Sequence, residues 1–243
     1  MRALVHSLLR NIGFDIKRLE KIGEDPFADM KYFLNGQQGP TVFDVGANVG
    51  QTVHKTKRVF PQAIIHSFEP SAGTFETLTK ECGQMPGVST WNYGVGSSLG
   101  KLTFFENTNS DMSSFLEMGK DAWGSVKNTT VVDVVTLDDF TKSKEIDYIH
   151  VLKSDTQGYD LEVFKGAKEL MAGDKIGLIY CELTFSEMYK NLPKFDQIFR
   201  YLIDNNFVLV TFYERFFQNE VLGWTDALFI NKNFNERRAA GRK

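Results

Sequence analysis

The stretch Val42-Phe-Asp-Val-Gly-Ala-Asn-Val-Gly-Gln51 decides the fold of this 243-residue chain. Its first four residues form a short apolar run that predicts a buried strand, and a helix is predicted to begin near Gly50. A strand that leads through glycines into a helix directs backbone N–H groups and the positive end of the helix dipole towards a ligand. The turn reads G-x-x-x-G and lacks the G-x-G-x-x-G that admits a dinucleotide pyrophosphate. This spacing favours a nucleoside ligand that carries an amino acid in place of phosphates.

The composition predicts one α/β domain with a large core and no polyanionic partner. Apolar residues make up 42% of the chain, and 21 of its residues are Phe. The net charge of −3 and the pI near 5.9 provide no general positive field, so nucleic acid is not an expected partner. The two cysteines have no metal-type spacing and fit a reducing, cytoplasmic compartment. The apolar run within residues 1–10 is too short to span a bilayer, so stable membrane insertion is not expected.

Strand and helix patterns alternate from Thr41 onward, which predicts a mostly parallel sheet with helices on both faces. We predict a cap of two short helices over residues 1–38, a main domain over 39–234 and a disordered basic tail over 235–243. Within the main domain, residues 97–140 break the rhythm with two alternating runs around a polar loop. Insertions of this kind commonly contain acceptor-binding or lid elements.

The last two predicted strands, Phe207–Tyr213 and Ala227–Ile230, are separated by only about a dozen residues without a helical pattern. A parallel crossover usually contains a helix, so an antiparallel hairpin is favoured. A parallel sheet that finishes in such a hairpin favours a methyltransferase-like sheet over a dehydrogenase-like one.

Polar residues or glycines follow the apolar runs at the predicted carboxyl ends of the strands, where ligands bind in open α/β sheets. These positions are Asp44 to Gly46, Glu69, Asn92 to Gly94, Asp155 and Glu182. Glu69 lies 23 residues after Gly46, which suits a carboxylate that accepts hydrogen bonds from both ribose hydroxyls; otherwise it is an acid at a helix N-terminus. Asp44 either accepts hydrogen bonds from the glycine turn or holds the amino group of the ligand.

Two carboxylates are candidates for proton transfer. Asp155 follows the fourth predicted strand and could accept a proton from an alcohol, contribute to a metal site with Gln157 or Glu182, or cap the next helix. Lys153 could pair with Glu182 and tune its pKa. Asn48 could cap the loop or bind the ligand carboxylate. No metal site is predicted, because the histidines do not form a ligand pattern.

Several segments resemble the FkbM-type methyltransferases: Phe43–Gln51, Ser67–Pro70, Val135–Asp139, Leu152–Gly158, Leu161–Gly166 and Asp226–Phe229. The resemblance implies a seven-stranded Rossmann-like sheet of the class I methyltransferase type, S-adenosyl-L-methionine as cofactor, and methyl transfer, commonly to a hydroxyl oxygen. It carries over Asp44, Gly46, Asn48, Gly50 and Glu69 as cofactor-binding positions and implies that Asn92–Val95 lies near the adenine. Ser154 departs from the pattern, since such proteins often have an apolar residue before the aspartate.

The full set of predicted cofactor-binding residues is Asp44, Gly46, Ala47, Asn48, Gly50, Gln51, Glu69, Pro70, Asn92, Gly94, Val95 and Asp155. Asp155 is the first choice for the catalytic base and Glu182 the second.

The expected function is O-methylation of a carbohydrate or small-metabolite hydroxyl, with a small molecule or glycan as the acceptor partner. The acceptors of the resembling family vary widely, among them sugars, macrolide-like metabolites and peptides, so a peptide acceptor stays open. A nicotinamide-dependent oxidoreductase is disfavoured by the glycine spacing and the terminal hairpin. A non-catalytic, cofactor-binding subunit is the third alternative, and the intact strand ends argue against it.

Overall fold

The computed structural model describes residues 22–240 and contains two β-sheets. The strands are β1 Thr41–Val45, β2 Ile64–Phe68, β3 Val88–Trp91, β4 Gly94–Val95, β5 Gly100–Asn107, β6 Val126–Val135, β7 Ile149–Ser154, β8 Ile176–Thr184, β9 Phe207–Gln218 and β10 Val221–Asn231. The main sheet has seven strands in the order β3-β2-β1-β7-β8-β10-β9. β10 runs antiparallel to β8 and β9, whereas β1, β2, β3, β7 and β8 pair in parallel. This arrangement confirms the predicted fold class, a mostly parallel Rossmann-like sheet with a terminal antiparallel hairpin.

The helices pack on both faces of the main sheet and have these bounds: α1 Pro26–Leu34, α2 Gln51–Val59, α3 Ala72–Cys82, α4 Leu137–Ser143, α5 Asp160–Lys165, α6 Lys168–Ala172, α7 Phe195–Asp204 and α8 Lys232–Ala240. Successive strand residues point to opposite faces. Phe43 and Val45 therefore pack in one apolar core with residues of α4 to α7, and Val42 packs in the other with residues of α1 to α3. No helix within residues 22–240 has the length and apolar character needed to cross a bilayer.

The terminal segments differ in part from the prediction. The second helix of the predicted cap is α1, whereas the first lies outside the described residues. The disorder expected over residues 235–243 is contradicted for 235–240, which belong to α8. The Asn231 side chain accepts a hydrogen bond from the Phe234 amide at 2.9 Å, and the Arg238 guanidinium lies over the Phe33 ring at 5.0 Å, so both ends of α8 are held.

Two helices differ from what the sequence pattern predicts. The pattern predicts one helix from Asp160 to about Met171, but the chain forms α5 and α6 with a break at Gly166, where a Cβ atom would collide with the Gly96 carbonyl. A serine before a helix predicts a side-chain cap, and Ser71 does precede α3, but its hydroxyl donates to Glu106 Oε1 at 3.0 Å and does not cap the helix. The Ser71 side chain therefore connects this helix start to β5.

The interrupting segment forms a second sheet of three strands in the order β4-β6-β5. β5 and β6 are antiparallel, and β4 pairs in parallel with Val134 and Val135 at the end of β6. The sheet ends at Val135, because Thr136 caps α4, and Leu137 and Phe140 return to the main core. The predicted insertion is thus built directly onto Gly94–Val95, beside the main sheet.

The terminal hairpin is longer than the sequence pattern predicts. Asn219 and Glu220 adopt positive φ angles of 50° and 67° and form a two-residue turn between β9 and β10. The polar residues before and after this turn therefore lie within strands, which extends the hairpin along the cavity described next.

Candidate active site

A cavity of about 610 Å³ opens at the carboxyl ends of β1, β2 and β7. This volume lies in the range of small-molecule sites. Most of the predicted site residues line it: Gly46, Asn48, Gln51, Glu69, Pro70, Gly94, Val95, Asp155 and Glu182. Residues that are far apart in the sequence are thus brought to one place, as expected for strand ends at one edge of a parallel sheet.

The glycine turn after β1 has a backbone that requires glycine. Gly46, Asn48 and Gly50 have positive φ angles of 75°, 47° and 99°. A Cβ atom at Gly46 would collide with the carbonyl of Asp155, so glycine allows the β1 and β7 ends to touch. The amides of Gly46 and Ala47 both donate to the Phe68 carbonyl, at 3.1 and 3.0 Å. The turn is therefore fixed to both neighbouring strands.

Glu69 is held at the cavity wall by backbone amides. One carboxylate oxygen accepts from the Asn48 N–H at 3.0 Å and the other from the Ser71 N–H at 2.9 Å. The residue is only 6% exposed, and this burial raises the pKa of its carboxyl group to about 7. The Asn92 side chain donates to the carbonyls of Glu69 and Pro70 at 2.8 and 3.0 Å, which fixes the same segment from the other side.

Lys153 connects the floor of the cavity to the glycine turn. Its Nζ donates to the Gly46 carbonyl at 2.9 Å and lies 3.2 Å from Asp44 Oδ1 and 3.6 Å from Asp155 Oδ2. Burial lowers the pKa of this ammonium, but the attraction of Asp44 and Asp155 outweighs it and raises the pKa above its usual value. The suggested pairing of Lys153 with Glu182 is replaced by these two contacts.

A chain of hydrogen bonds positions Asp155. The Tyr189 hydroxyl lies 2.8 Å from Gln157 Oε1, to which it donates, and Gln157 Nε2 donates to Asp155 Oδ1 at 3.0 Å. Lys153 lies beside the other oxygen, so both oxygens of the carboxylate have a neighbouring donor. The Gln157 side chain thus lies between Tyr189 and Asp155. Asp155 is consequently a fixed, half-buried carboxylate at the cavity wall.

Glu182 lies inside β8, opposite Asp226 of β10, and lines the same cavity. Burial and the nearby Asp155 raise the pKa of Glu182 well above its usual value. The Tyr180 hydroxyl donates to Asp226 at 2.6 Å and satisfies that neighbour. Asp155, whose two oxygens lie beside Lys153 Nζ and Gln157 Nε2, stays the first choice for the predicted base, and Glu182 stays the second. Within residues 22–240, no three His, Cys, Asp or Glu side chains converge as a metal site would require.

Ser154 has a specific partner that explains its departure from the apolar pattern. Its hydroxyl donates to Asp160 Oδ1 at 2.5 Å, and both side chains are buried. The same carboxylate oxygen accepts from the Thr156 amide at 3.3 Å, and burial raises the pKa of Asp160 to about 6. Ser154 therefore satisfies a buried acid at the start of α5 and does not reach the cavity.

The remaining predicted cofactor-binding residues do not line the cavity: Asp44, Ala47, Gly50 and Asn92. Asp44 is fully buried under the turn and pairs with Lys153. Ala47 is 2% exposed and packs in the core beside α2, and a Cβ atom at Gly50 would collide with Cys82 Sγ. These residues shape the turn and its supports, and cofactor binding at their positions stays a prediction.

None of the predicted catalytic or cofactor-binding residues belongs to the opposite wall of the cavity. That wall comes from the segment between β5 and β6, from the stretch after β8 and from β10, and includes Asn109, Ser110, Asp111, Met112, Phe115, Trp123, Thr184, Met188, Tyr189 and Trp224. The polar loop within 97–140 signalled an acceptor-binding element. Its pattern carried no period that could identify which side chains face inward.

The fold and the cavity define a Rossmann-like α/β protein of the class I methyltransferase type, with its site beside the glycine turn. The family model described as the methyltransferase FkbM domain matches residues 44–209, more than half of the chain. The chain belongs to this family of S-adenosylmethionine-dependent methyltransferases. The predicted family is therefore confirmed.

Relatives of known name share modest identity with this chain. The hexuronic acid methyltransferase AglP of Haloferax volcanii is 29% identical over 133 residues, 54% of this chain and 51% of AglP. The match thus spans about half the length of AglP. The methyltransferase sdnD of Sordaria araneosa is 29% identical over 179 residues, 61% of this chain and 68% of sdnD. Among solved structures, an rRNA methylase from Streptococcus thermophilus is 11% identical with a TM-score of 0.48, covering 90% of this chain and 99% of that one.

Proposed function

We propose that this protein transfers a methyl group from S-adenosyl-L-methionine to a hydroxyl oxygen of a small molecule or glycan. The observation that carries the proposal is the convergence of Glu69, the glycine turn and Asp155 on one cavity. Glu69 and the turn supply a nucleoside and amino-acid site, and Asp155 supplies a carboxylate beside it. Membership of the FkbM methyltransferase family supports the same reaction class.

The residues present fit the cofactor. The first turn of α2 has no side-chain cap, and Val49 and Gln51 at that end line the cavity, so its amides can receive the carboxylate of the amino-acid part. The fixed carboxylate of Glu69 can accept hydrogen bonds from the ribose hydroxyls, because each of its oxygens keeps a second lone pair. Gly94 and Val95 line the cavity beyond Glu69 and would flank the adenine.

When bound, S-adenosyl-L-methionine supplies an electrophilic methyl group on a sulfonium sulfur, which keeps the C–S electron pair as the acceptor oxygen forms the new C–O bond. Asp155 accepts the proton of the acceptor hydroxyl and later releases it to solvent. Lys153 and Gln157 hold the two oxygens of Asp155 in place, so the carboxylate needs no reorganisation. Tyr189 orients Gln157 in turn and acts as a positioning residue.

The acceptor class follows from the relatives and from the cavity wall. AglP is named for methylation of a hexuronic acid, which supports a carbohydrate hydroxyl as the acceptor. Asp111, Asp155 and Glu182 line the cavity, and an acidic wall disfavours a nucleic-acid backbone. We therefore favour a glycan or small metabolite over a nucleic acid.

The proposal is tested with Asp155→Asn, which keeps the size of the side chain and removes the base. Asp133→Asn is the matched control, because Asp133 forms an exposed ion pair with Lys101 on β5 and β6 and lies outside the cavity lining. We expect turnover with hydroxyl acceptors to fall about 100- to 10,000-fold in Asp155→Asn, with S-adenosylhomocysteine affinity in calorimetry close to wild type. Unchanged turnover would remove Asp155 from the mechanism. Absence of S-adenosylhomocysteine binding by the wild-type protein would overturn the proposed function itself.

A further inference from the structure

The wall of the cavity contains clustered acidic side chains. Asp155, Glu182 and Asp111 come from three different segments of the chain and all line the cavity. Burial, followed by the charges of Glu182, Asp155 and Asp111, raises the pKa of the Tyr189 phenol above its usual value. Tyr189 lines the same cavity and contacts the Met112 carbonyl, next to Asp111, and Gln157, which donates to Asp155.

The same cavity has two tryptophans in its wall. Trp123 of the segment before β6 and Trp224 of β10 both line the cavity, with ring centroids 5.3 Å apart at an interplanar angle of 75°. Phe216 stacks on Trp224 at 5.0 Å and 10°, which fixes the orientation of that indole. Trp123 is 46% exposed, and so large an apolar surface beside a cavity is typical of a binding wall.

The charges of the cavity wall affect which acceptors can bind. Lys153 is the nearest cation to Asp155, but it is 7% exposed and already contacts Asp44 and the Gly46 carbonyl. The lining within residues 22–240 contains carboxylates, amides, hydroxyls and aromatic rings, and no Lys or Arg from those residues. A carboxylate on the acceptor would meet like charges, whereas hydroxyls can donate to the carboxylates of the wall.

We propose that the acceptor is an electrically neutral sugar ring that packs against Trp123 and Trp224, and that the carboxylates of the wall select against an acidic sugar. This inference rests on the proposed function and extends it to the charge and shape of the acceptor. The faces of a pyranose ring carry C–H groups that suit an indole surface, and its rim carries the hydroxyls. Asp155 receives the proton of the hydroxyl that is methylated, and the new O–CH₃ bond leaves the acceptor uncharged.

The test uses methyl hexopyranosides in matched sets that differ only at C6: the alcohol, the carboxylate and the carboxamide. The carboxamide has nearly the shape of the carboxylate without its charge, so it separates charge from size. Methyl transfer is followed by mass spectrometry of the product, and S-adenosylhomocysteine binding is measured in parallel by calorimetry. We expect kcat/KM for the alcohol and the carboxamide to exceed that for the carboxylate at least tenfold.

Two variants connect this selectivity to the wall. Asp111 is exposed in the segment after β5 and is not the predicted base. Asp111→Lys therefore changes the charge of the wall with little effect on folding. It should reduce the preference for the carboxamide over the carboxylate by tenfold or more. Trp123→Ala should raise KM for the neutral ring about tenfold without changing S-adenosylhomocysteine affinity. Val131→Ala is the control, because this exposed side chain of β6 lies outside the cavity lining. Its truncation should leave the KM for the neutral ring and the S-adenosylhomocysteine affinity unchanged.

Equal or preferred methylation of the carboxylate by the wild-type protein would overturn the inference and leave the proposed function standing. If none of the neutral rings is methylated while S-adenosylhomocysteine still binds, the inference of a neutral sugar acceptor is also overturned. If the wild-type protein binds no S-adenosylhomocysteine, the proposed function fails and this inference fails with it.

Discussion

Glu69→Gln gives the sharpest test of the cofactor site, because it replaces a charged acceptor with a neutral one of the same size. In the wild-type protein, each Glu69 oxygen accepts one backbone N–H, at 3.0 and 2.9 Å, and keeps one lone pair for a ribose hydroxyl. In the variant, one oxygen becomes an NH₂ group, so at least one charge-assisted bond to the ribose is lost. Such a bond contributes about 1.5–3 kcal/mol. We therefore expect the Kd for S-adenosylhomocysteine to rise about 10- to 150-fold.

The pH dependence of binding separates this role from a purely structural one. The pKa of Glu69 is raised to about 7, so the ligand-free protein carries a proton on this carboxyl below pH 7. Two ribose hydroxyls are donors and require the ionised form, so binding must release that proton, and affinity falls as the pH decreases. Between pH 7 and 5, the wild-type Kd should rise about tenfold per pH unit. Glu69→Gln has no proton to release there and should give a much flatter profile.

The stability of the ligand-free protein should respond in the opposite direction. The folded protein holds the Glu69 proton up to about pH 7, whereas an unfolded glutamate releases it near 4.5. The folded state therefore binds more protons in this window, and the free energy of unfolding should decrease as the pH rises from 4.5 to 7. Urea unfolding of wild type and Glu69→Gln at several pH values isolates the contribution of this residue.

Calorimetry at pH 5.5 to 8 is the decisive assay, with Glu162→Gln as the matched control. Glu162 is a surface residue of α5 that pairs with Lys165 and does not line the cavity, so the same chemical change there should leave affinity unaltered. A Glu69→Gln protein that folds and binds S-adenosylhomocysteine within twofold of wild type at pH 8 would refute the ribose contact. The alternative would then be that Glu69 only ties the glycine turn to the start of α3.

Three further substitutions test the supports of the site. Tyr189→Phe removes the outermost hydrogen bond of the chain that orients Asp155. We therefore expect kcat to fall about 3- to 10-fold and the pH profile of kcat to shift, while the S-adenosylhomocysteine affinity stays unchanged. A change confined to thermal stability would contradict a positioning role for Tyr189. Lys153→Met leaves Asp44 buried without its counter-ion and should cost about 3–5 kcal/mol in urea unfolding, most of which the added Asp44→Asn change should restore. Gly46→Ala forces a side chain into a backbone with φ of 75° and should abolish calorimetric binding and cost about 1–3 kcal/mol of stability.

The order of elements and the placement of Glu69 and Asp155 at one cavity could be predicted, because both depend on local signals. Apolar runs that end in glycine or acid identify strand ends, and parallel pairing places those ends at one edge of the sheet. Glu69 and Asp155 follow directly from this reasoning. The bounds of the hairpin were underestimated because β9 and β10 contain exposed polar residues beyond the core. α8 was missed because its stabilising contacts, such as Arg238 over Phe33, are long-range.

The wall of the cavity opposite the glycine turn could not be predicted, because it comes from segments without a regular period. Trp123, Asp111 and Tyr189 are brought together by loops whose conformations depend on tertiary contacts. Tyr189 shows why: its hydroxyl contacts Gln157 and the Met112 carbonyl, at 2.8 and 3.1 Å, so its position depends on two segments distant in the sequence. A polar or aromatic residue in a loop gives no sign of such partners.

One buried ion pair supports both the proposed base and the proposed cofactor turn. Burial raises the pKa of Glu182, which lines the cavity, and of Asp160, which lies beneath it. Asp155 has the Lys153 ammonium 3.6 Å from one oxygen and the Gln157 amide 3.0 Å from the other. Lys153 in turn is held by Asp44 beneath the glycine turn, so the pair of Lys153 and Asp44 supports both parts of the proposed site. Loss of Lys153 should therefore weaken cofactor binding and turnover together, whereas loss of Tyr189 should affect turnover alone.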